Sequence, residues 1–185
     1  MPVKNDEWIK RMSLERGMIE PFCEKLSSNG VISYGLSSYG YDIRLFNEFK
    51  VINDTGKMET VDPKDSKRYD FETIKTDVFE IKPGQTVLGR SLEYFRIPRN
   101  VIVLCFGKST YARCGILVNI TPLEPEWEGY ITIAISNISL NRVKLYALEG
   151  ISQIVFIESD ETCLVSYADR KGKYQAQKEI TSAKV

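Results

Sequence analysis

The 185 residues suffice for one domain with a real core, and 25 acidic against 25 basic side chains leave no net charge to draw the chain to nucleic acid or an acidic membrane. The complete absence of histidine excludes histidine-based triads, histidine-containing metal sites and an imidazole general base at neutral pH. Chemistry therefore falls to carboxylates, hydroxyls, amines, backbone groups or a metal carried in by a substrate.

In chain order, "NDEWIKRMSLERG" predicts a helix: Asn5 or Asp6 caps it, acids fill its first turn, Trp8, Ile9 and Met12 share a side, and Gly17 ends it. A second short helix is expected after Pro21, so that residues 1–25 read as a helical segment. From there the chain turns every eight to twelve residues or so and is rich in β-branched and aromatic side chains. The predicted strands are "YDIRLFNEFKVI", "DVFEIKP", "QTVLGRS", "VIVLCF", "GILVNIT", "YITIAIS", "VKLYAL" and "GISQIVFIES". With no helical period between them, an all-β sandwich or barrel with antiparallel pairing follows. Residues 53–76 are polar and read as a long excursion, and residues 168–185 carry too little apolar content to pack alone: a frayed tail, or a segment that closes over a ligand. Cys23, Cys105, Cys114 and Cys163 have no C-x-x-C spacing and read as free thiols. No run reaches the roughly 18 apolar residues of a membrane span. "MPVKNDEWIK" lacks a signal-peptide core, so a cytoplasmic location is expected.

Four stretches carry candidate chemistry. "GKSTYARCG" lies between two apolar strands and offers Lys108 and Arg113 as cationic donors and Ser109 and Thr110 as hydroxyls, a set that suits a phosphate chain. The order G-x-x-x-x-G-K is absent, so this is no P-loop, and a solvated corner with its arginine paired to an acid is the competing reading. "TPLEPEWEGYITIAISN" sets two prolines and acidic residues around Trp127, which suits a base or sugar or simply covers a core edge. In its strand Ile131, Ile133 and Ile135 must face a core, while Tyr130, Thr132, Ala134 and Ser136 face away. Ala134 is then a lone small apolar residue on a polar face, and a poor strand former. "SYGLSSYGYDIRL" places Asp42 and Arg44 in a strand after glycines that permit turns, and "KGKYQAQ" is a donor-rich tail with one aromatic.

Taken together, the sequence resembles the dCTP deaminases of the trimeric dUTPase superfamily. "YGYDIRL", "GKSTYARCG", "EPEWEGYITI", "GISQIVF" and "GKYQAQ" are similar to its five motifs, in order. The resemblance implies a β-clip fold, a distorted jelly roll, assembled as a homotrimer with active sites between subunits. It implies dCTP as substrate with Mg²⁺ on the triphosphate and no zinc, dUTP and ammonia as products, and dTTP as an inhibitor. The H-x-E and P-C-x-x-C pattern of zinc nucleoside deaminases is missing from this sequence. Carried over by motif, Lys108, Ser109 and Thr110 meet the triphosphate region, Ser109 also positions the attacking water, and Arg113 belongs to the catalytic cluster. Backbone groups of Ile120, Thr121 and Pro122 read the cytosine edge, Trp127 lies beside sugar and base, and Tyr167, Lys173 and Gln177 belong to the closing tail.

One departure stands out. The family's strand after W-x-G reads like I-T-L-E, with a glutamate that takes the proton from water; "YITIAISN" puts Ala134 there. The resemblance thus makes the chain a Glu-to-Ala variant that binds nucleotide and turns it over poorly or not at all. The competing functions are dUTP hydrolysis to dUMP, alone or coupled to deamination, with Glu124 as the acid, and a non-catalytic nucleotide sensor.

Overall fold

The computed structural model describes residues 2–52, 60–65 and 70–184. Helix α1 (Asp6–Arg16) forms as its caps dictate. The Asn5 side chain accepts from the Trp8 amide, and Gly17, left-handed at φ 62°, donates to the Met12 and Ser13 carbonyls. The helix expected after Pro21 is absent. Just before it lies β1 (Ile19–Glu20), paired antiparallel to Phe95 and Tyr94, and its place is taken by an irregular run whose backbone bonds go to other elements, the Cys23 carbonyl accepting from the Leu36 amide. Tertiary partners outcompete a local helix there.

The remaining strands are β2 (Gly35–Ser37), β3 (Gly40–Arg44), β4 (Glu48–Ile52), β5 (Phe71–Lys75), β6 (Val78–Ile81), β7 (Thr86–Arg96), β8 (Val101–Gly107), β9 (Ile116–Asn119), β10 (Glu128–Asn137), β11 (Val143–Tyr146) and β12 (Gly150–Glu158), with the short helix α2 (Ser109–Ala112) between β8 and β9. One sheet runs β5-β4-β7-β10-β9 with β1 added on β7, a second runs β2-β3-β12-β8, and β6 pairs β11. All strand pairs are antiparallel. Apolar side chains of both larger sheets, among them Ile43, Phe49, Ile133, Ile135, Ile154 and Phe156, are fully buried together, as a mainly β fold requires.

All eight predicted strands are present, with two revisions. "YDIRLFNEFKVI" is two strands in different sheets, β3 and β4, joined by a corner at Leu45 whose amide donates to Glu149 and whose carbonyl accepts from Leu148. The strand begun by "QTVLGRS" continues to Arg96. Its inward positions include Ser91 and Glu93, both at 0% exposure, so apolar alternation fails where the strand is most enclosed. Those polar groups are satisfied. The Ser91 hydroxyl donates to the Glu93 carbonyl at 2.7 Å and accepts from the Ile131 amide at 2.8 Å, where β10 bulges. Glu93 accepts from Arg44 Nε at 2.7 Å and from the Arg44 amide at 3.0 Å. Burial pushes its carboxyl above the ordinary range, and the Arg44 charge pulls against that.

The expected excursion is partly strand: β5 is an edge strand with few buried side chains, so it reads as polar. Residues 53–59 and 66–69 of it lie outside the described residues. Among the described residues no helix is long and apolar enough to cross a membrane.

Candidate functional site

Strand β10 fulfils the parity expectation. Ile131, Ile133 and Ile135 are at most 2% exposed, whereas Thr132, Ala134 and Ser136 are half-buried on the other face. That outer face forms one wall of a cavity of about 980 Å³. The sequence-predicted residues Ile120, Thr121, Pro122, Trp127, Ala134, Tyr167, Lys173 and Gln177 all line it. Ala134 thus points into open space beside the segment expected to read a base.

The wall is built by pairing. Ala134 lies opposite Asn119 of β9 on one side and Leu88 of β7 on the other, and both line the cavity. Beyond Asn119 the chain leaves the sheet, so residues 120–127 form the rim. Both main-chain groups of Ile97 hold that rim. Its amide donates to the Trp127 carbonyl at 3.0 Å and its carbonyl accepts from the Glu126 amide at 3.1 Å. Trp127 serves the core and the cavity at once: it is 6% exposed, and its indole N–H donates to the Tyr174 carbonyl at 3.0 Å.

The tail is docked against this wall. Gln177 bridges Gly129 in parallel, accepting from the Tyr130 amide and donating through its side chain to the Tyr130 carbonyl and to Thr132 Oγ1. Gly129 sits at φ 144°, and a Cβ there would lie 3.1 Å from Gln177 backbone atoms, so glycine lets the two chains approach. Gly172 is fixed by space, since a Cβ would come within 2.1 Å of the Tyr167 ring. Ile180 is 1% exposed, and Lys50 Nζ donates to its carbonyl at 2.8 Å. Lys173 donates to the Lys184 carbonyl, turning its ammonium back along the tail.

The predicted phosphate grip lies elsewhere on the chain. Lys108, Ser109, Thr110 and Arg113 do not line the cavity. Lys108 directs its ammonium inward to Asp42, 2.5 Å away, rather than alongside the Ser109 hydroxyl. That pair joins two predicted motifs, "YGYDIRL" and "GKSTYARCG", and the other oxygen of Asp42 is buried without a hydrogen-bond partner among the described residues. Ser109, Thr110 and Arg113 are exposed on α2 and just past it, and Arg113 forms no ion pair among the described residues. The alternative of an arginine paired to a nearby acid is therefore not what the fold shows.

Several cavity residues escaped the sequence reading. Asn119 and Leu88 flank Ala134 only through strand pairing, which sequence does not display, whereas Thr132 shares the parity of Ala134 and could have been found that way. Glu124, which the sequence reading did name as the acid of the diphosphatase alternative, also lines the cavity and is ion-paired to Arg170 of the tail. Among the described residues no group of three or more His, Cys, Asp or Glu is placed to hold a metal ion.

The fold is similar to the crystal structure of 2'-deoxycytidine 5'-triphosphate deaminase from Agrobacterium tumefaciens, with a TM-score of 0.62 at 13% identity. That match covers 83% of this chain and 47% of the other, so the chain spans about half the length of that structure. The class is thus a mainly β chain that shares the fold of that structure. In sequence, residues 3–159 match the profile described as dCTP deaminase-like. The dCTP deaminase of Pseudomonas syringae pv. tomato is 55% identical over 98% of each chain, and that of Chloroflexus aggregans is 55% identical over 100% of this chain and 99% of its own. The chain belongs to the dCTP deaminase-like family.

Proposed function

We propose that the chain binds dCTP and that its reaction is zinc-independent hydrolysis of the cytosine 4-amino group, impaired by the alanine at 134. In this reaction water adds to C4 and ammonia leaves, giving dUTP. The observation that carries the reading is the placement of Ala134 on the wall of the cavity that Ile120–Pro122 and Trp127 rim. A carboxylate on that wall would take the proton from water and pass it to the departing amino group; a methyl leaves the binding groups in place and removes the proton carrier. On this reading main-chain groups of residues 120–122 read the base edge, Trp127 flanks it, and Tyr167, Lys173 and Gln177 close over it, residues 168–185 being the lid. Mg²⁺ arrives on the triphosphate, and dTTP is the expected inhibitor.

Separation of the exposed Ser109, Thr110 and Arg113 from the cavity supports a homotrimer with sites between subunits, in which one copy supplies the phosphate grip and another the base pocket. Exposed apolar side chains support it too: Phe106 on β8 is 53% exposed and Leu117 on β9 54%, each on the outer strand of its sheet. Ser109 would position the water and Arg113 would answer developing charge, with Lys108 reaching the triphosphate once freed from Asp42.

The test is calorimetry of the chain with Mg²⁺ and dCTP beside an ammonia assay. Saturable binding of one dCTP per chain is expected, with ammonia release at background. No binding would overturn the reading, and pyrophosphate released from dUTP would favour the diphosphatase alternative that uses Glu124.

A further inference from the structure

Between β7 and β8, Arg99 reaches two segments that are far apart in sequence. Its Nη1 donates to Glu126 Oε2 at 2.6 Å, and its Nη2 donates to Asp169 Oδ2 at 2.7 Å and to the Leu164 carbonyl at 3.2 Å. Glu126 belongs to the rim, Asp169 to the tail and Leu164 to the stretch just before it. We infer that Arg99 is a positioning residue that locks the rim turn to the tail, so that recognition of the pyrimidine and docking of the tail are one event. The inference rests on the proposed nucleotide-binding reading.

Three observations carry it. First, the base of the clamp is fixed. The Val101 amide donates to the Pro98 carbonyl at 3.1 Å and the Ser159 amide to the Asn100 carbonyl at 2.8 Å, so the arginine projects from a pinned turn. Second, each arm meets a tightly turned segment. Glu126 holds a left-handed φ of 60°, which side-chain-bearing residues seldom adopt, and Asp169 also accepts the Ser166 amide at 3.0 Å to close a tight turn. The guanidinium beside Asp169 holds its carboxyl down at about 2. Third, the two segments meet at several points beside the cavity: the Tyr167 amide donates to the Pro125 carbonyl at 3.0 Å, Gln175 to the Glu126 carbonyl at 2.9 Å, and Arg170 pairs with Glu124, with Tyr167 and Glu124 both lining the cavity.

A lone pair at such partly exposed positions would count for little. One planar guanidinium bridging two carboxylates is different, because its geometry sets the spacing of the groups it joins. Arg99 and its partners Glu126, Asp169 and Leu164 do not line the cavity, so its effect passes through the neighbouring rim and tail residues that do, such as Trp127 and Tyr167.

The test compares the full chain with Arg99→Met, Arg99→Lys and Asp169→Asn. Readouts are calorimetry with dCTP and with inorganic tripolyphosphate, both with Mg²⁺, tail cleavage by trypsin, and thermal unfolding. Arg99→Met is expected to weaken dCTP on the order of tenfold, more than it weakens tripolyphosphate, and to speed tail cleavage by a similar factor with the melting temperature held. Lysine, able to keep one arm, falls between. Asp169→Asn gives the tail effect, and adding it to Arg99→Met changes nothing further. Unchanged dCTP affinity and cleavage would overturn the inference, as would equal losses for both ligands together with a lower melting temperature. A parent chain that binds dCTP no better than tripolyphosphate would sink the nucleotide reading alone, and the cleavage arm would still decide the clamp.

Discussion

Ala134→Glu is expected to raise ammonia release from dCTP by about 10²–10⁴-fold, the usual contribution of a positioned general acid–base. At about 1.4 kcal/mol per tenfold this corresponds to roughly 3–5 kcal/mol of barrier. The substitution costs the fold little. Position 134 is half-buried on the outer face of β10, opposite Leu88 and Asn119, and its side chain projects into the cavity rather than between the sheets. The longer side chain therefore displaces no core atoms. Binding should change far less than turnover, because the added carboxylate acts on the proton in flight. Steady-state ammonia assays beside calorimetry separate the two. Equal turnover by both chains would place the proton carrier at another residue.

The second large effect concerns the interior. Arg44→Met is expected to destabilise the chain by about 3–5 kcal/mol, since it strands a fully buried carboxylate. Glu93 is at 0% exposure, and Arg44 supplies both its close side-chain partner and a backbone donor, with the Tyr41 hydroxyl at 3.5 Å. Its carboxyl is already raised by burial and loses the Arg44 charge that opposes this. The sign of the pH dependence follows. A carboxyl with a raised folded pKa keeps its full contribution below the unfolded value of about 4 and loses it as pH rises through the folded value. The penalty should therefore be larger at pH 8 than at pH 5 in urea unfolding. A pH-independent loss would mean that Glu93 finds another cation or water in the variant.

Strand identities were legible wherever one face is apolar, as in "YITIAIS" and "GISQIVFIES", because burial on one side writes a period of two into the residues. Legibility stopped where the inward face turns polar at Ser91 and Glu93, where a strand is a bare edge like β5, and at Ile19–Glu20, too short to have a period. Within the site, Ala134 announced itself by parity and Trp127 by the rigid acidic turn around it. Asn119 and Leu88 come beside Ala134 only once β10 is paired on both edges, and strand register is a property of the sheet, not of either segment. Arg99 was silent for the same reason: its partners lie 27 and 70 positions away.

The bond from the Trp127 indole to the Tyr174 carbonyl gives the molecule a native optical gauge. Lifting of that stretch of chain exposes the ring to water and changes its emission, while Trp8, the other tryptophan, sits on α1 against Phe156 and supplies a steady background. Motion of residues 168–185, the proposed lid, can thus be followed by light, without attaching any dye.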